Sequence, residues 1–298
     1  MRRRYLLGLL GICGLAILTS CSTTPSNAAN GTNITDEDSL GITYDVTNTL
    51  KVTTAIEDGF TFDSSKGLLK ITKSGEYSLE GSLNGYIECD SSLTNKVTLV
   101  LNGITITSDH PTISWLSESS KVEIKAKKGT SNKLVTEESC ILTNSTVESE
   151  NNIEFGGKGE LVIENHQKHG VSASEIVIKS EINLSVTSKV KDGLHAKQIN
   201  IESGTVEITA ISDGIEAEVN SKGNKGTFQM TGGTLKISKC KNAIKAATSI
   251  SFSNPTDTDP IGIILRFDTI SDTIFASPTV TNTSSVFTYY LDGIENTI

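Results

Sequence analysis

Two short stretches, residues 191–197 (KDGLHAK) and 212–218 (SDGIEAE), repeat an Asp-Gly-aliphatic-X-Ala core twenty-one positions apart. If the fold stacks them as neighbouring strands, Asp192 and Asp213 come within about 4.8 Å of one another. Two carboxylates at that distance repel by roughly 1 kcal/mol in water, and by more where solvent is partly excluded. A cation would offset this. Oxygen ligands from Asp192, Asp213, Glu216 and Glu218, with turn carbonyls, form the kind of set that calcium takes, about six to eight oxygens in irregular geometry. The metal-free alternative is an aspartate that caps its own corner by accepting backbone N–H bonds, as Asp-Gly turns commonly do. His169 and His195 fall at non-equivalent positions, and histidines on a sheet surface are usually solvated, so a transition-metal site is the weaker reading. Lys197 and Lys245 project from the same face as the acids, and with His195 and Asn242 they are the candidates for contact with a ligand there.

The elements that must position these groups repeat. Four segments share one register: HGVSAS from His169, DGLHAK from Asp192, DGIEAE from Asp213 and NAIKAA from Asn242, with starts 23, 21 and 29 residues apart. Each precedes a strand-like run, and the first three then reach a polar or glycine turn and a second run (INLSV, TVEIT, TLKIS). Strand, corner, strand, turn and strand in about 22 residues is one coil of a parallel β-helix, and the 29-residue interval is one coil with a loop. The fold expected is therefore all-β, a single-stranded right-handed parallel β-helix. Val171, Leu194, Ile215 and Ile244 should stack in one interior column and Ala173, Ala196, Ala217 and Ala246 in the next, while Ser172, His195, Glu216 and Lys245 point outward. Gly170, Gly193 and Gly214 are expected at the corner with positive φ.

The full length of 298 residues and its composition bound the class of protein. The chain opens with three arginines before an apolar run of about fifteen residues, too short for an ordinary spanning helix and shaped like an export signal. That run ends in Leu18-Thr19-Ser20-Cys21, which resembles a bacterial lipobox, so residues 1–20 read as a lipoprotein signal and Cys21 as the lipidated N-terminus. Two acyl chains would anchor the protein to a membrane and leave it facing outward. Residues 21–40 are small, polar and turn-rich, a flexible tether. Removing Arg2, Arg3 and Arg4 moves the formal charge from −9 to −12, with 23 Lys and Arg against 35 Asp and Glu, which excludes ordinary nucleic-acid binding. Cys89, Cys140 and Cys240 are odd in number with no CxxC spacing, so they read as buried thiols, although Cys140 and Cys240 could meet if their coils stack. The β-helix is placed at 41–252. Residues 253–298 lose the phased corner, although Asp292-Gly293-Ile294 echoes it, and read as irregular final coils or a covering strand pair.

Residues 74–90 (SGEYSLEGSLNGYIECD) and 96–111 (KVTLVLNGITITSDHP), KKGTSNKL from Lys127 and the paired DGLHA and DGIEA together resemble exported bacterial proteins of the carbohydrate-binding domain-containing family, right-handed parallel β-helices akin to pectate lyases. The resemblance runs from about Leu68 to Phe252. It implies binding of cellulose or a pectic, acidic polysaccharide, with calcium at coil corners, and Asp192 and Asp213 are the matching positions. Members often carry a doubled acid before the glycine, whereas Lys191 and Ser212 stand here. The expected function is a non-catalytic, monomeric, calcium-assisted polysaccharide binder. Two alternatives stand beside it, a calcium-dependent lyase with Lys197 or Lys245 as base, and an adhesive surface protein. Arginine occurs past residue 4 only at Arg266, so bidentate grip on uronate carboxylates is scarce. Trp115 reads as core. Tyr86, Tyr289 and Tyr290 are aromatic candidates for sugar contact.

Overall fold

Period-two alternation of β-branched and polar residues, interrupted by glycine and Asx turns, leaves this sequence no amphipathic helix to form. The structure, a computed structural model, describes residues 42–43, 48–139, 145–219, 225–253, 262–283 and 288–297, and every regular element among them is a strand. The signal and lipidation site expected at residues 1–21, the tether and Cys140 lie outside the described residues.

The strands wind into three parallel faces. The first begins at Leu68–Ile71 and passes through Ile113–Trp115, Val147–Ser149, 171–173, 194–196, Ile215–Ala217 and Ile244–Ala246. The second runs from 76–79 through Val122–Ala126, Asn152–Gly157, 175–178 and 198–201 to Val280–Asn282. The third runs from 81–84 through Ser131–Thr136, Glu160–Asn165, Asn183–Ser188, Thr205–Thr209, Thr234–Cys240 and Ile264–Ile270 to Thr288–Leu291. This is a parallel β-solenoid, as the repeat predicts.

Both interior columns hold. Val171 pairs with Leu194, Leu194 with Ile215 and Ile215 with Ile244, all fully buried, and the four alanines align one step further on. Inward positions of the other faces stack likewise, as in Ile163, Val186, Ile208, Ile237 and Phe267. Each fully buried side chain of this kind contributes about 1.5–3 kcal/mol. Trp115 is core, as expected, its indole N–H donating to the Ser120 carbonyl.

The corner glycines correct the sequence reading. Gly170, Gly193 and Gly214 do not have positive φ. They are required by crowding: a Cβ on Gly193 would lie 2.3 Å from Ile208 Cγ2 and 2.7 Å from the Gly214 carbonyl oxygen. The interior column of the third face presses on the corner, and only glycine leaves room.

The solenoid also extends beyond the expected boundary at 252. Ile264–Ile270, Phe275–Ala276 and Val280–Asn282 continue all three faces in parallel register. Thr288–Leu291 then turns back antiparallel through Asp292-Gly293, both at positive φ, into Ile294–Thr297. The Asp-Gly that echoes the corner motif is thus a hairpin turn. Phe252, Phe267, Phe275 and Tyr289 meet at centroid distances of 5.6–6.0 Å in this last part of the interior. At the other end, Lys51–Thr53 and Phe60–Asp63 run antiparallel against the first coil and pair part of its edge.

Candidate functional site

The corner brings Asp192 and Asp213 together as the repeat predicts, but inside the protein. They are 2% and 3% exposed, against the solvent-facing column expected. Each caps the coil that follows. Asp192 Oδ1 accepts the backbone N–H of Asp213 at 2.9 Å, and Asp213 Oδ1 accepts the side-chain amide of Asn242 at 2.7 Å and its backbone N–H at 3.3 Å. Backbone capping was one of the two readings; the capped coil is the neighbour's.

The second oxygens face nitrogen groups. Lys245 reaches Asp213 Oδ2 at 3.3 Å and also binds Glu216. Asp192 Oδ2 lies 2.9 Å from His169 Nδ1 and 3.3 Å from His195 Nδ1. The two histidine rings, read from sequence as unrelated, stack at 4.2 Å between centroids. Burial opposes ionisation of Asp192, but both histidines, the Asp213 N–H and Ser212 overcome it and hold the carboxyl well below its usual range. Burial likewise disfavours a charged His195, yet Asp192, Glu216 and Glu218 outweigh it and push the imidazole up to about 9. His169 moves the other way, lowered mainly by burial.

Asp192, Asp213 and Glu216 therefore do share a site, with ligand atoms within 4.8 Å of one another, while Glu218 is more than half exposed and touches only the far nitrogen of His195, at 3.3 Å, among the contacts seen. The donor set does not match calcium. Its three carboxylates carry six oxygens, the low end of the roughly six to eight that calcium takes. Backbone or amide N–H groups, imidazoles and the Lys245 ammonium already face their oxygens. The expected sugar contacts shift too: Asn242 is buried in the capping ladder, His195 is enclosed by carboxylates and Lys245 is engaged by two acids. Lys197 stands half-buried on the outer surface.

The third face presents a different surface. Its outward positions align in register as Val162, Ser185, Glu207, Lys236, Arg266 and Tyr290, flanked by Glu160, Asn183, Thr205 and Thr234. A shallow hollow of about 250 Å³ lies over Glu160, Val162, Asn183, Ser185, Thr205 and Glu207. A larger groove of about 600 Å³ follows on the same face, lined by Lys236, Arg266, Asp268, Tyr290 and Asp292. The Arg266 guanidinium lies 5.6 Å over the Tyr290 ring, a cation–π contact, and the Tyr290 hydroxyl donates to Glu295 at 3.4 Å. Sequence reasoning named Arg266 and Tyr290 singly and missed their union. The signal was present in TLKIS, ILRFD and TYYLD, whose middle residues align once the final coils are recognised.

Arg266 and Lys236 can bind a carboxylate, Tyr290 can cover an apolar sugar face, and the hydroxyl and amide groups behind them can bond to sugar hydroxyls. A polymer along this face would meet an outward group roughly every 4.8 Å.

Comparison with known proteins agrees with this architecture. A family model described as carbohydrate-binding domain-containing protein matches residues 65–259. A carbohydrate-binding domain-containing protein of Acetivibrio thermocellus is 28% identical over 194 residues, 62% of this chain and 68% of its own. A solved structure of the polysaccharide lyase-like protein from C. thermocellum, a gadolinium derivative, superposes with a TM-score of 0.64 at 26% identity, covering 77% of this chain and 92% of that one. The chain belongs to the carbohydrate-binding domain-containing family.

Proposed function

We propose that this is an exported, lipid-anchored protein that binds a carboxylate-bearing polysaccharide along its third face without cleaving it. The observation that carries the reading is the groove at Lys236, Arg266 and Tyr290, where the lone arginine beyond residue 4 meets a lysine and an aromatic ring on consecutive coils. In a chain of net negative charge this local pair of cations gives an anionic sugar partners of opposite charge, Lys236 lying also 3.6 Å from Glu207. The polar track of Asn183, Ser185, Thr205 and Thr234 extends the contact to further sugar units. Export and anchoring rest on the N-terminal arginines, the short apolar run and the lipobox-like residues before Cys21.

Affinity electrophoresis in gels containing polygalacturonate tests the reading. The protein should be retarded, equally with and without EGTA, and should release no unsaturated product absorbing in the ultraviolet. Free migration in every gel would end the proposal, and a rising absorbance would replace it with a lyase. Labelling of cells with a radioactive fatty acid, lost in Cys21→Ala, tests the anchor.

A further inference from the structure

The corner cluster holds an arrangement that glycan binding does not use. His169 is 4% exposed and its Nδ1 makes no hydrogen bond, although Asp192 Oδ2 lies only 2.9 Å away, because the carboxylate oxygen is off the N–H direction. His195 Nδ1 is in the same state, 3.3 Å from Asp192 Oδ2 and 3.3 Å from Glu216 Oε2. Two buried imidazole nitrogens thus converge on one carboxylate oxygen without hydrogen-bonding it. Each nitrogen keeps an ion-pair contact to the carboxylate but lacks a hydrogen bond, and a missing hydrogen bond at a buried nitrogen costs about 1–3 kcal/mol.

A metal ion removes that cost. Bonds of roughly 2.0–2.2 Å at tetrahedral angles place neighbouring donor atoms about 3.3 Å apart. The observed separations are 2.9, 3.3 and 3.3 Å. Two imidazoles with one or two carboxylates suit a divalent ion of zinc type, whereas calcium takes oxygen alone. The three donors come from two successive coils, His169 from one and Asp192 and His195 from the next, and Glu216 of the coil after lies 3.3 Å from His195.

We propose that His169, Asp192 and His195, whose ligand atoms lie within 4.8 Å of one another, form a transition-metal site of zinc type that clamps two neighbouring coils at the corner. The site is distinct from the third face and does not depend on the glycan reading. A solenoid is held by contacts between neighbouring coils, so an ion bonded across two of them stabilises that stretch directly. His195 and Glu216 are only partly buried, which gives the ion a path from solvent.

The test uses the metal alone. Purified protein, stripped by chelator and dialysed against Zn2+, should retain one ion per chain. Its unfolding midpoint should rise with Zn2+ concentration, as binding to the folded state alone requires. Co2+ in place of Zn2+ should give the strong visible absorption of a four-coordinate centre. His195→Gln and the double variant His169→Gln/His195→Gln should weaken binding by ~100-fold or more, since loss of even an outer partner costs about 10–100-fold. Asp192 is left intact because it caps the neighbouring coil. If the double variant does not fold, His195→Gln decides. Retention of less than a tenth of an ion per chain, undiminished binding in a folded His195→Gln protein, or equal competition by Ca2+ would overturn the proposal.

Discussion

Glu123→Gln should cost stability in a pH-dependent way that can be worked from its surroundings. Glu123 is 4% exposed and lies among three lysines, Lys125 on its own strand, Lys96 just before a strand of the preceding coil and Lys179 just after one of a later coil. Oε2 accepts from Lys96 at 2.9 Å and from the Thr98 hydroxyl at 3.3 Å, with Lys125 3.4 Å away, while Oε1 lies 3.4 Å from Lys179. Burial opposes ionisation, but the Lys96 hydrogen bond and the charges of Lys179 and Lys125 overcome it and bring the carboxyl from 4.5 to about 2. At about 1.4 kcal/mol per unit this is at most roughly 3 kcal/mol. The lysine ends are about a third to a half exposed, so screening reduces the figure to about 2 kcal/mol. A depressed carboxylate pKa adds stability above the unfolded value and loses it as the pH falls through the folded one. Urea unfolding of both proteins should therefore show a gap of about 2 kcal/mol at pH 7, less than half of that near pH 3, and none below about pH 2. Carboxylates common to both proteins cancel in the difference. A gap that stays constant from pH 7 to pH 3 would refute the reasoning, since it would tie the loss to packing instead of charge.

Two further substitutions probe the corner. Asp213→Ala leaves two buried donors of Asn242 without their acceptor and takes one of two acids from the Lys245 ammonium, so urea unfolding should show a loss of about 2–4 kcal/mol, and Asp213→Asn, which keeps an acceptor oxygen, should lose less. Gly193→Ala should cost about 1–3 kcal/mol in the same assay, because its Cβ would press on Ile208 and on the Gly214 carbonyl, whereas Ala243→Gly at the corresponding place of a later coil, which makes no clash, should cost about 1 kcal/mol or less.

The fold was legible because a solenoid writes its register into the sequence. Once Val171, Leu194, Ile215 and Ile244 were phased, every outward neighbour followed from the two-residue period of a strand. What the phasing hid was depth. Asp192 and Asp213 hold positions like those of exposed turn acids, and only the coordinates reveal them as caps sealed under His169, His195 and Lys245. The stack of His169 on His195 was equally hidden, since it joins a corner residue of one coil to a strand residue of the next, a diagonal that comparing equivalent positions does not test. Residues past Phe252 looked irregular because the interval to the next paired coil lengthens, with Leu235 opposite Leu265, and the alanine column ends at Ala246. The alternation Leu265, Phe267 against Arg266, Asp268 still carried the third face onward.

The central claim, that the glycan lies on the third face and not at the corner, is tested most directly by comparing dissociation constants for polygalacturonate of the parent protein, the Lys236→Ala/Arg266→Ala variant, Tyr290→Ala and the corner control Glu218→Gln. The two face variants should bind at least tenfold more weakly, about 1.4 kcal/mol, with Glu218→Gln unchanged. Full affinity in both face variants, or a loss confined to Glu218→Gln, would contradict it.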